Sequence, residues 1–221
     1  MREIAKLLKT MLPETTPTSD AEIAEYERRQ REQERTERYR KTAPERYWHE
    51  SLDTYRTDTD ERRGAAEKAR AFAQSARQGG FRTLLLLGAV GTGKTHLACG
   101  IVREAGGIYR LAPGIAEELR RARSFGAKET EADVLDRYGR ASLLVIDEIG
   151  RGISADEERY MLCRIIDERY NRRRPSVLVS NMTKKGFLSY VGIAAADRLT
   201  ESAYAAEFMG RSYRAVLRGT Q

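Results

Sequence analysis

The stretch GAVGTGKTH, from Gly88 to His96, constrains the fold more than any other part of the sequence. The apolar run RTLLLLG leads into it, and a segment with helical periodicity follows from Lys94 to about Ala105. A buried strand that ends in a glycine loop and continues into a helix favours phosphate binding. Backbone N–H groups of the loop and the positive end of the helix dipole then converge on one anion. The stretch therefore predicts a phosphate-binding loop.

Four positions, Gly88, Gly93, Lys94 and Thr95, match the pattern G-x-x-x-x-G-K-[ST]. In that pattern the lysine reaches the β- and γ-phosphates of a nucleotide, and the hydroxyl of the last residue ligates Mg²⁺. The predicted nucleotide contacts are Gly88, Ala89, Val90, Gly91, Thr92, Gly93, Lys94, Thr95 and His96.

A second motif, LLVIDEIG, supplies acidic groups about 50 residues later in the chain. Four apolar residues place Asp147 at the carboxyl end of a predicted strand, where its carboxylate can hold Mg²⁺. Glu148 follows directly and can polarise an attacking water. Asn181 ends another strand, in VLVSN, and is either a water-positioning group or a turn residue. This combination favours nucleotide hydrolysis over phosphoryl transfer to a metabolite.

Predicted strands alternate with predicted helices through the chain, which indicates an α/β fold with a parallel sheet and helices on both faces. The helices are predicted at 94–105, at 113–139 with a break at SFGAKET, at 155–170 and near 193–202. The five strands are predicted in RTLLLLG, GIYRLA, ASLLVIDEIG, PSVLVSN and YAAEF.

The length of 221 residues accommodates one substantial domain and a short appendage. We predict a helical N-terminal extension at residues 1–42 and an ATPase domain at 43–221. Residues 1–12 place five apolar side chains on one helical face, which docks either on the chain's own domain or on a partner. Residues 20–41 are nearly all polar, with acid-to-base pairs such as Glu25–Arg29 and Glu27–Arg31, and predict a solvated helix.

The net charge of +7 favours an acidic partner such as nucleic acid, although excess charge also keeps proteins soluble. The two cysteines, Cys99 and Cys163, imply neither a zinc site nor a disulfide framework. No stretch is long and apolar enough for a membrane span, and the N-terminus lacks a signal-peptide pattern. We therefore expect a cytoplasmic protein without a membrane partner.

Five motifs, GAVGTGKTHLA, LLVIDEIG, RRRPSVLVSN, ADRL and SYR, occur in an order and spacing that resemble AAA+ replicative helicase loaders of the DnaC/DnaI type. Transposition helper ATPases of the IstB type share most of them. The resemblance covers roughly residues 40–217 and implies a P-loop NTPase fold of the AAA+ type that uses ATP and Mg²⁺. The PERY segment near Pro44 resembles the entry to the ATPase domain, where the base of the nucleotide is expected to rest.

The resemblance also implies roles for single residues. Arg198 in ADRL matches an arginine finger that reaches a neighbouring subunit, which implies a homo-oligomer in the ATP-bound state. Arg214 in SYR matches a sensor 2 arginine, and Asn181 matches sensor 1. The chain departs from the family just before the finger, because Ala194 stands where these loaders often have a charged residue.

Between the two nucleotide motifs lies a basic segment, AEELRRARSFGAK, with one aromatic residue. Cations and an aromatic ring suit single-stranded DNA, by neutralising phosphates and stacking on bases. A solvated helix face is the alternative. The arginines at 172–174 either complement a helix end or bind DNA. The candidate DNA contacts are Arg120, Arg121, Arg123, Phe125 and Lys128.

The favoured hypothesis is an ATP-switched loader that binds single-stranded DNA and a hexameric replicative helicase. One alternative is an IstB-like transposition helper that binds duplex DNA. A small-molecule P-loop kinase is disfavoured, because Glu148, Asn181 and Arg198 suit hydrolysis between subunits.

Overall fold

The computed structural model describes residues 20–152 and 154–210. The predictions on residues 1–12 and on Arg214 lie outside these ranges. The chain divides into two units after Glu37. The described part of the first unit is helical, and its predicted ion pairs Glu25–Arg29 and Glu27–Arg31 form at 2.9 and 2.7 Å. Such exposed pairs contribute little to stability, about 0–1 kcal/mol each.

Helices and strands alternate along the described chain, as predicted. The helices are α1 (Asp20–Thr42), a 3₁₀ turn (Glu45–Tyr47), α2 (Asp60–Arg77), α3 (Lys94–Ala105), α4 (Ala112–Ala122), α5 (Glu131–Arg140), α6 (Ala155–Asn171), α7 (Lys184–Val191) and α8 (Ile193–Ser202). The strands are β1 (Thr83–Gly88), β2 (Ile108–Leu111), β3 (Leu144–Ile149), β4 (Ser176–Ser180) and β5 (Ala203–Phe208).

The five strands form one parallel sheet in the order β2-β3-β4-β1-β5. β1 lies between β4 and β5, with Leu85 paired to Leu178 on one side and to Ala205 on the other. The predicted fold class and all five predicted strands are thereby confirmed. Each interior strand is covered on both faces, which explains why the leucine run shows no alternation of polar residues.

Two apolar cores lie on opposite faces of the sheet, and alternate leucines of β1 enter each. Leu84 and Leu86 pack in the first core with side chains of α2 and α3, such as Phe72. Leu85 and Leu87 pack in the second core with side chains of α4, α6 and α7. The sheet is therefore held rigidly, and its carboxyl edge is a fixed platform for a site. Within the described ranges no helix is long and apolar enough to span a membrane.

Candidate nucleotide-binding site

A cavity of about 330 Å³ opens at the carboxyl ends of β1, β3 and β4. Ligands of open parallel sheets bind in such crevices, because loops at that edge diverge from one another. Ten of the predicted site residues line it. They are Val90, Gly91, Thr92, Gly93, Lys94, Thr95, His96, Asp147, Glu148 and Asn181.

The phosphate-binding loop has the backbone shape that its glycines predict. Gly91 and Gly93 have φ angles of +78° and +96°, a region that other residues rarely adopt. A Cβ atom on Gly93 would also lie 2.7 Å from the ring of Tyr55, so the loop excludes a side chain here. α3 begins directly afterwards with no side-chain cap, which leaves its first N–H groups for an anion. The loop therefore fits a phosphate group.

Lys94 is only 5% exposed, and its Nζ donates to the carbonyl oxygens of Gly88 (2.8 Å) and Ala89 (2.6 Å). Gly88 and Ala89, the two predicted loop residues that do not line the cavity among those described, thus fix the position of the lysine. Burial lowers the pKa of Lys94 from 10.5 to about 8, and the Asp147 carboxylate partly opposes that effect. Among the described residues, no carboxylate forms an ion pair with Lys94. Such a buried cation favours the binding of an anion, since a phosphate restores the charge balance.

Asp147 lies near the carboxyl end of β3; the residue is 3% exposed, and its carboxylate accepts two hydrogen bonds. The Tyr109 hydroxyl donates to Oδ2 at 2.8 Å, and the Glu148 N–H donates to Oδ1 at 2.6 Å. Burial, together with the adjacent carboxylate, raises the pKa of Tyr109 far above its usual range, so this phenol remains a donor. Sequence reasoning missed Tyr109, because nothing in GIYRLA announces a partner 38 residues away.

Glu148 directs a partly exposed carboxylate toward the cavity from strained backbone, with φ at +58°. Its Oε1 lies 3.1 Å from an Arg151 nitrogen, and Arg151 also lines the cavity. The positive φ coincides with an irregularity in the β3–β4 register between Ile146 and Ile149. It costs on the order of 1–3 kcal/mol, as functional strain typically does. The arrangement can present a general base to a water at the cavity's phosphate end.

The oxygen atoms around the cavity fit Mg²⁺. Asp147 and Thr95 both line it and offer a carboxylate and a hydroxyl, which are the hard ligands this ion prefers. Mg²⁺ commonly takes only one or two protein ligands and completes its shell with water and phosphates. Accordingly, the described residues contain no cluster of three His, Cys, Asp or Glu that would form an all-protein cage.

A second buried carboxylate, Glu158 in α6, organises the loop that follows Glu148. It is 1% exposed and accepts hydrogen bonds from the N–H groups of Gly150 (2.5 Å) and Gly152 (2.9 Å), and from the Tyr190 hydroxyl (3.0 Å). The pKa of Tyr190 is raised to about 12, mainly by burial and to a smaller extent by the Glu158 carboxylate. This role could not be predicted from the sequence, since Glu158 stands in a run of charged residues at the start of a helix.

The segment around PERY lines the same cavity, and its role in holding the nucleotide base stays a prediction. Arg46 and Tyr47 line it, together with Tyr55. His96 secures this wall, because its Nε2 lies 2.8 Å from the Ser51 carbonyl oxygen and its ring meets that of Tyr55 edge-on at 5.3 Å. His96, a predicted nucleotide contact, therefore also connects α3 to the segment at residues 50–55.

Arg198 is not among the described residues that line the cavity. Its Nε lies 2.9 Å from Asp167 Oδ1, its Nη1 donates to the Ala194 carbonyl oxygen, and it stacks beside Tyr170 on α6. None of these contacts, among the described residues, involves a residue that lines the cavity, and the arginine-finger role stays a prediction. Asn181 is exposed at the end of β4 and faces the cavity.

The candidate DNA residues lie together at the end of α4 and in the loop that follows. Arg120 and Arg121 both pair with Glu117, at 2.9 and 3.0 Å, and Arg123 pairs with Glu131 at 2.5 Å. Phe125 is fully exposed, and Lys128 is exposed as well. The arginines thus have acidic partners in this structure, while the aromatic ring is open for stacking.

The strand order, the phosphate-binding loop after β1 and the acid pair near the carboxyl end of β3 define a P-loop NTPase of the AAA+ class. The chain belongs to the family of IstB-like ATP-binding proteins, whose model matches residues 20–219.

Three known proteins illustrate the similarity. The replicative helicase loader DnaC of Buchnera aphidicola (subspecies Acyrthosiphon pisum) is 26% identical over 188 residues, which cover 80% of this chain and 74% of that protein. A putative ATP-binding protein of insertion sequence IS1162 from Pseudomonas fluorescens is 30% identical over 160 residues, covering 69% and 66%. The crystal structure of the DnaC helicase loader superimposes with a TM-score of 0.64 at 22% identity, covering 75% of this chain and 99% of that one.

Proposed function

We propose that the protein hydrolyses ATP with Mg²⁺ and uses ATP binding and hydrolysis to load a hexameric replicative helicase onto single-stranded DNA. The observation that carries the ATPase part is the convergence of Lys94, Asp147 and Glu148 on one cavity. The loader part is supported by the similarity to proteins named replicative helicase loader DnaC.

The catalytic roles follow from the positions of the side chains. Lys94 exchanges its carbonyl partners for phosphate oxygens, and the N–H groups at the start of α3 hold the same phosphates. Thr95 and Asp147 would hold Mg²⁺, which would neutralise the charge that develops on the phosphates. Glu148 takes a proton from the attacking water, and Asn181 orients that water.

The position of Arg198 supports the proposed homo-oligomer. A guanidinium beside Asp167 on the chain's own surface serves catalysis only when a second copy brings its phosphates to it. An arginine supplied in trans contributes about 10³–10⁵-fold to nucleotide hydrolysis in the systems where it is known. ATP in the cavity would therefore link neighbouring subunits, and hydrolysis would loosen them.

Single-stranded DNA would lie against the end of α4. The exposed Phe125 ring offers stacking. Arg120, Arg121 and Arg123 can exchange their acidic partners for phosphates, and Lys128 offers a further exposed charge. The extension at residues 1–42 would contact the helicase, and the domain from residue 43 would carry the ATPase.

The transposition helper is the second candidate, favoured by the similarity to the IS1162 protein. The two candidates differ in the DNA that they bind. We expect a fluorescent single strand to bind more tightly than a duplex of equal length in the presence of ATP. Tighter binding of the duplex would favour the transposition helper instead.

The same assay tests the DNA surface. Phe125→Ala removes a stacking contact worth about 1–3 kcal/mol per base, so we expect single-strand affinity to fall at least about fivefold. Arg121→Ala should weaken binding and reduce its salt dependence. Arg140→Ala is the matched control, because Arg140 is similarly exposed and also pairs with an acid four residues before it. Equal effects of the Arg121 and Arg140 substitutions would refute this surface.

A further inference from the structure

Tyr109 makes a contact that the general nucleotide motifs do not include. It lies on β2, next to β3, and pairs in register with Val145, two residues before Asp147. Because alternate residues of a strand share a face, Asp147 projects from the same face of the sheet as Val145. The long tyrosine side chain reaches diagonally along this face and donates to Asp147 Oδ2 at 2.8 Å.

Both partners are buried, Tyr109 at 2% and Asp147 at 3% exposure. The tyrosine ring packs in the apolar core with Tyr39 and Cys99, and its backbone N–H donates to Thr42 at 3.4 Å. The hydroxyl therefore has a fixed position. Among the described residues, no other side chain donates a hydrogen bond to Oδ2 in this structure.

The two donors on Asp147 act on different oxygens. The Glu148 N–H holds Oδ1 at 2.6 Å, and the Tyr109 hydroxyl holds Oδ2. One donor leaves a carboxylate free to rotate about its Cβ–Cγ bond, whereas two donors define its plane. Hydrogen-bond partners of this kind commonly change metal affinity about 10- to 100-fold when they are removed.

We propose that Tyr109 is a positioning residue, which holds the Asp147 carboxylate in the orientation that binds Mg²⁺. This inference rests on the proposed Mg²⁺-dependent nucleotide binding. Tyr109 contacts neither nucleotide nor metal, and its role is to make Asp147 a stronger ligand.

The test is a Mg²⁺ titration of the binding of a fluorescent, non-hydrolysable ATP analogue to the full chain, starting in EDTA. For Tyr109→Phe we expect unchanged affinity without metal. The Mg²⁺ concentration that gives the half-maximal increase in affinity should rise about tenfold. The ATPase rate should recover at high Mg²⁺.

Tyr138→Phe is the matched control. Tyr138 is 1% exposed and also donates to a carboxylate, that of Glu118 at 2.6 Å, but it does not line the cavity. Both substitutions remove one hydrogen bond from a buried phenol to a carboxylate, so a merely structural role predicts similar losses of thermal stability and the same Mg²⁺ midpoint. Should Tyr109→Phe fail to fold, Tyr109→Met removes the same hydroxyl and keeps an apolar side chain.

Equal Mg²⁺ midpoints for the wild type and the Tyr109 variant would overturn the role of Tyr109 alone. A wild-type protein whose analogue binding does not respond to Mg²⁺ would overturn the proposed magnesium site, and this inference with it. A raised midpoint in the Tyr109 variant, with Tyr138→Phe unchanged, is the supporting result.

Discussion

The buried ammonium of Lys94 predicts a specific pH dependence of stability. Its pKa falls from 10.5 to about 8 on folding, because burial disfavours the charged form. Between these two pH values the unfolded chain binds more protons than the folded one, so the free energy of unfolding rises with pH across this range. At about 1.4 kcal/mol for each tenfold change in proton affinity, the burial of the charged lysine costs about 3 kcal/mol at neutral pH.

Lys94→Met removes this titration and retains a long apolar side chain. The variant also loses the hydrogen bonds to Gly88 and Ala89, so the diagnostic quantity is the change with pH rather than the absolute stability. From pH 7 to above pH 10, we expect the wild type to gain about 3 kcal/mol of unfolding free energy relative to the variant. ATP should raise the melting temperature of the wild type only, since the variant lacks the cation that binds the phosphates.

Urea denaturation at a series of pH values measures the difference directly. Lys68→Met is the control, because the Nζ of the exposed Lys68 also donates to a carbonyl oxygen, that of Ala205 at 2.8 Å. Parallel stability curves for the wild type and Lys94→Met would refute the assignment of a buried, destabilised cation to the phosphate-binding loop.

Three further substitutions test other parts of the site. Glu148→Gln should leave ATP affinity unchanged and slow hydrolysis about 10²- to 10⁴-fold, and single-turnover rates near wild type would contradict a general base. Arg198→Ala should bind ATP normally but lose about 10³-fold or more of the hydrolysis that appears on assembly. If this variant hydrolysed ATP at the wild-type rate at high protein concentration, Arg198 would not be an arginine finger. Glu158→Ala leaves three neutral donors without their acceptor, at about 1–3 kcal/mol each, and should lower the free energy of unfolding by about 3 kcal/mol or more. Glu157→Ala is the control, because Glu157 is the exposed neighbour of Glu158. Equal losses of unfolding free energy in the two variants would show that the hydrogen bonds of Glu158 contribute little to stability.

The sequence predicted the parts of the site that depend on local order along the chain. Lys94 and Asp147 could be placed together because each follows an apolar run, and parallel strands end at one edge of a sheet. The same reasoning identified five strands, including β5 in YAAEF. It assigned no helix to α2 or α7, because the polar face of α2 and the shortness of α7 weaken the apolar periodicity.

The missed residues act through partners far away in sequence. Tyr109 meets Asp147 across 38 residues, and Tyr190 meets Glu158 across 32. The sequence around each of these tyrosines and acids contains no pattern that predicts the pairing. Only the packing of the sheet and helices brings the hydroxyls and carboxylates together. The ion pairs of Arg120 and Arg121 with Glu117 were also not anticipated, since the basic pattern alone suggested free cations.

The most direct test of the loader hypothesis is a binding experiment with the full chain and the purified replicative helicase of its host. Size-exclusion chromatography with light scattering would measure complex formation with ATP, with ADP and without nucleotide. We expect a stoichiometric complex with ATP that binds single-stranded DNA, and release of the protein once the nucleotide is hydrolysed. Absence of a complex in every nucleotide state, together with ATP-dependent binding of the protein to duplex DNA, would contradict the account.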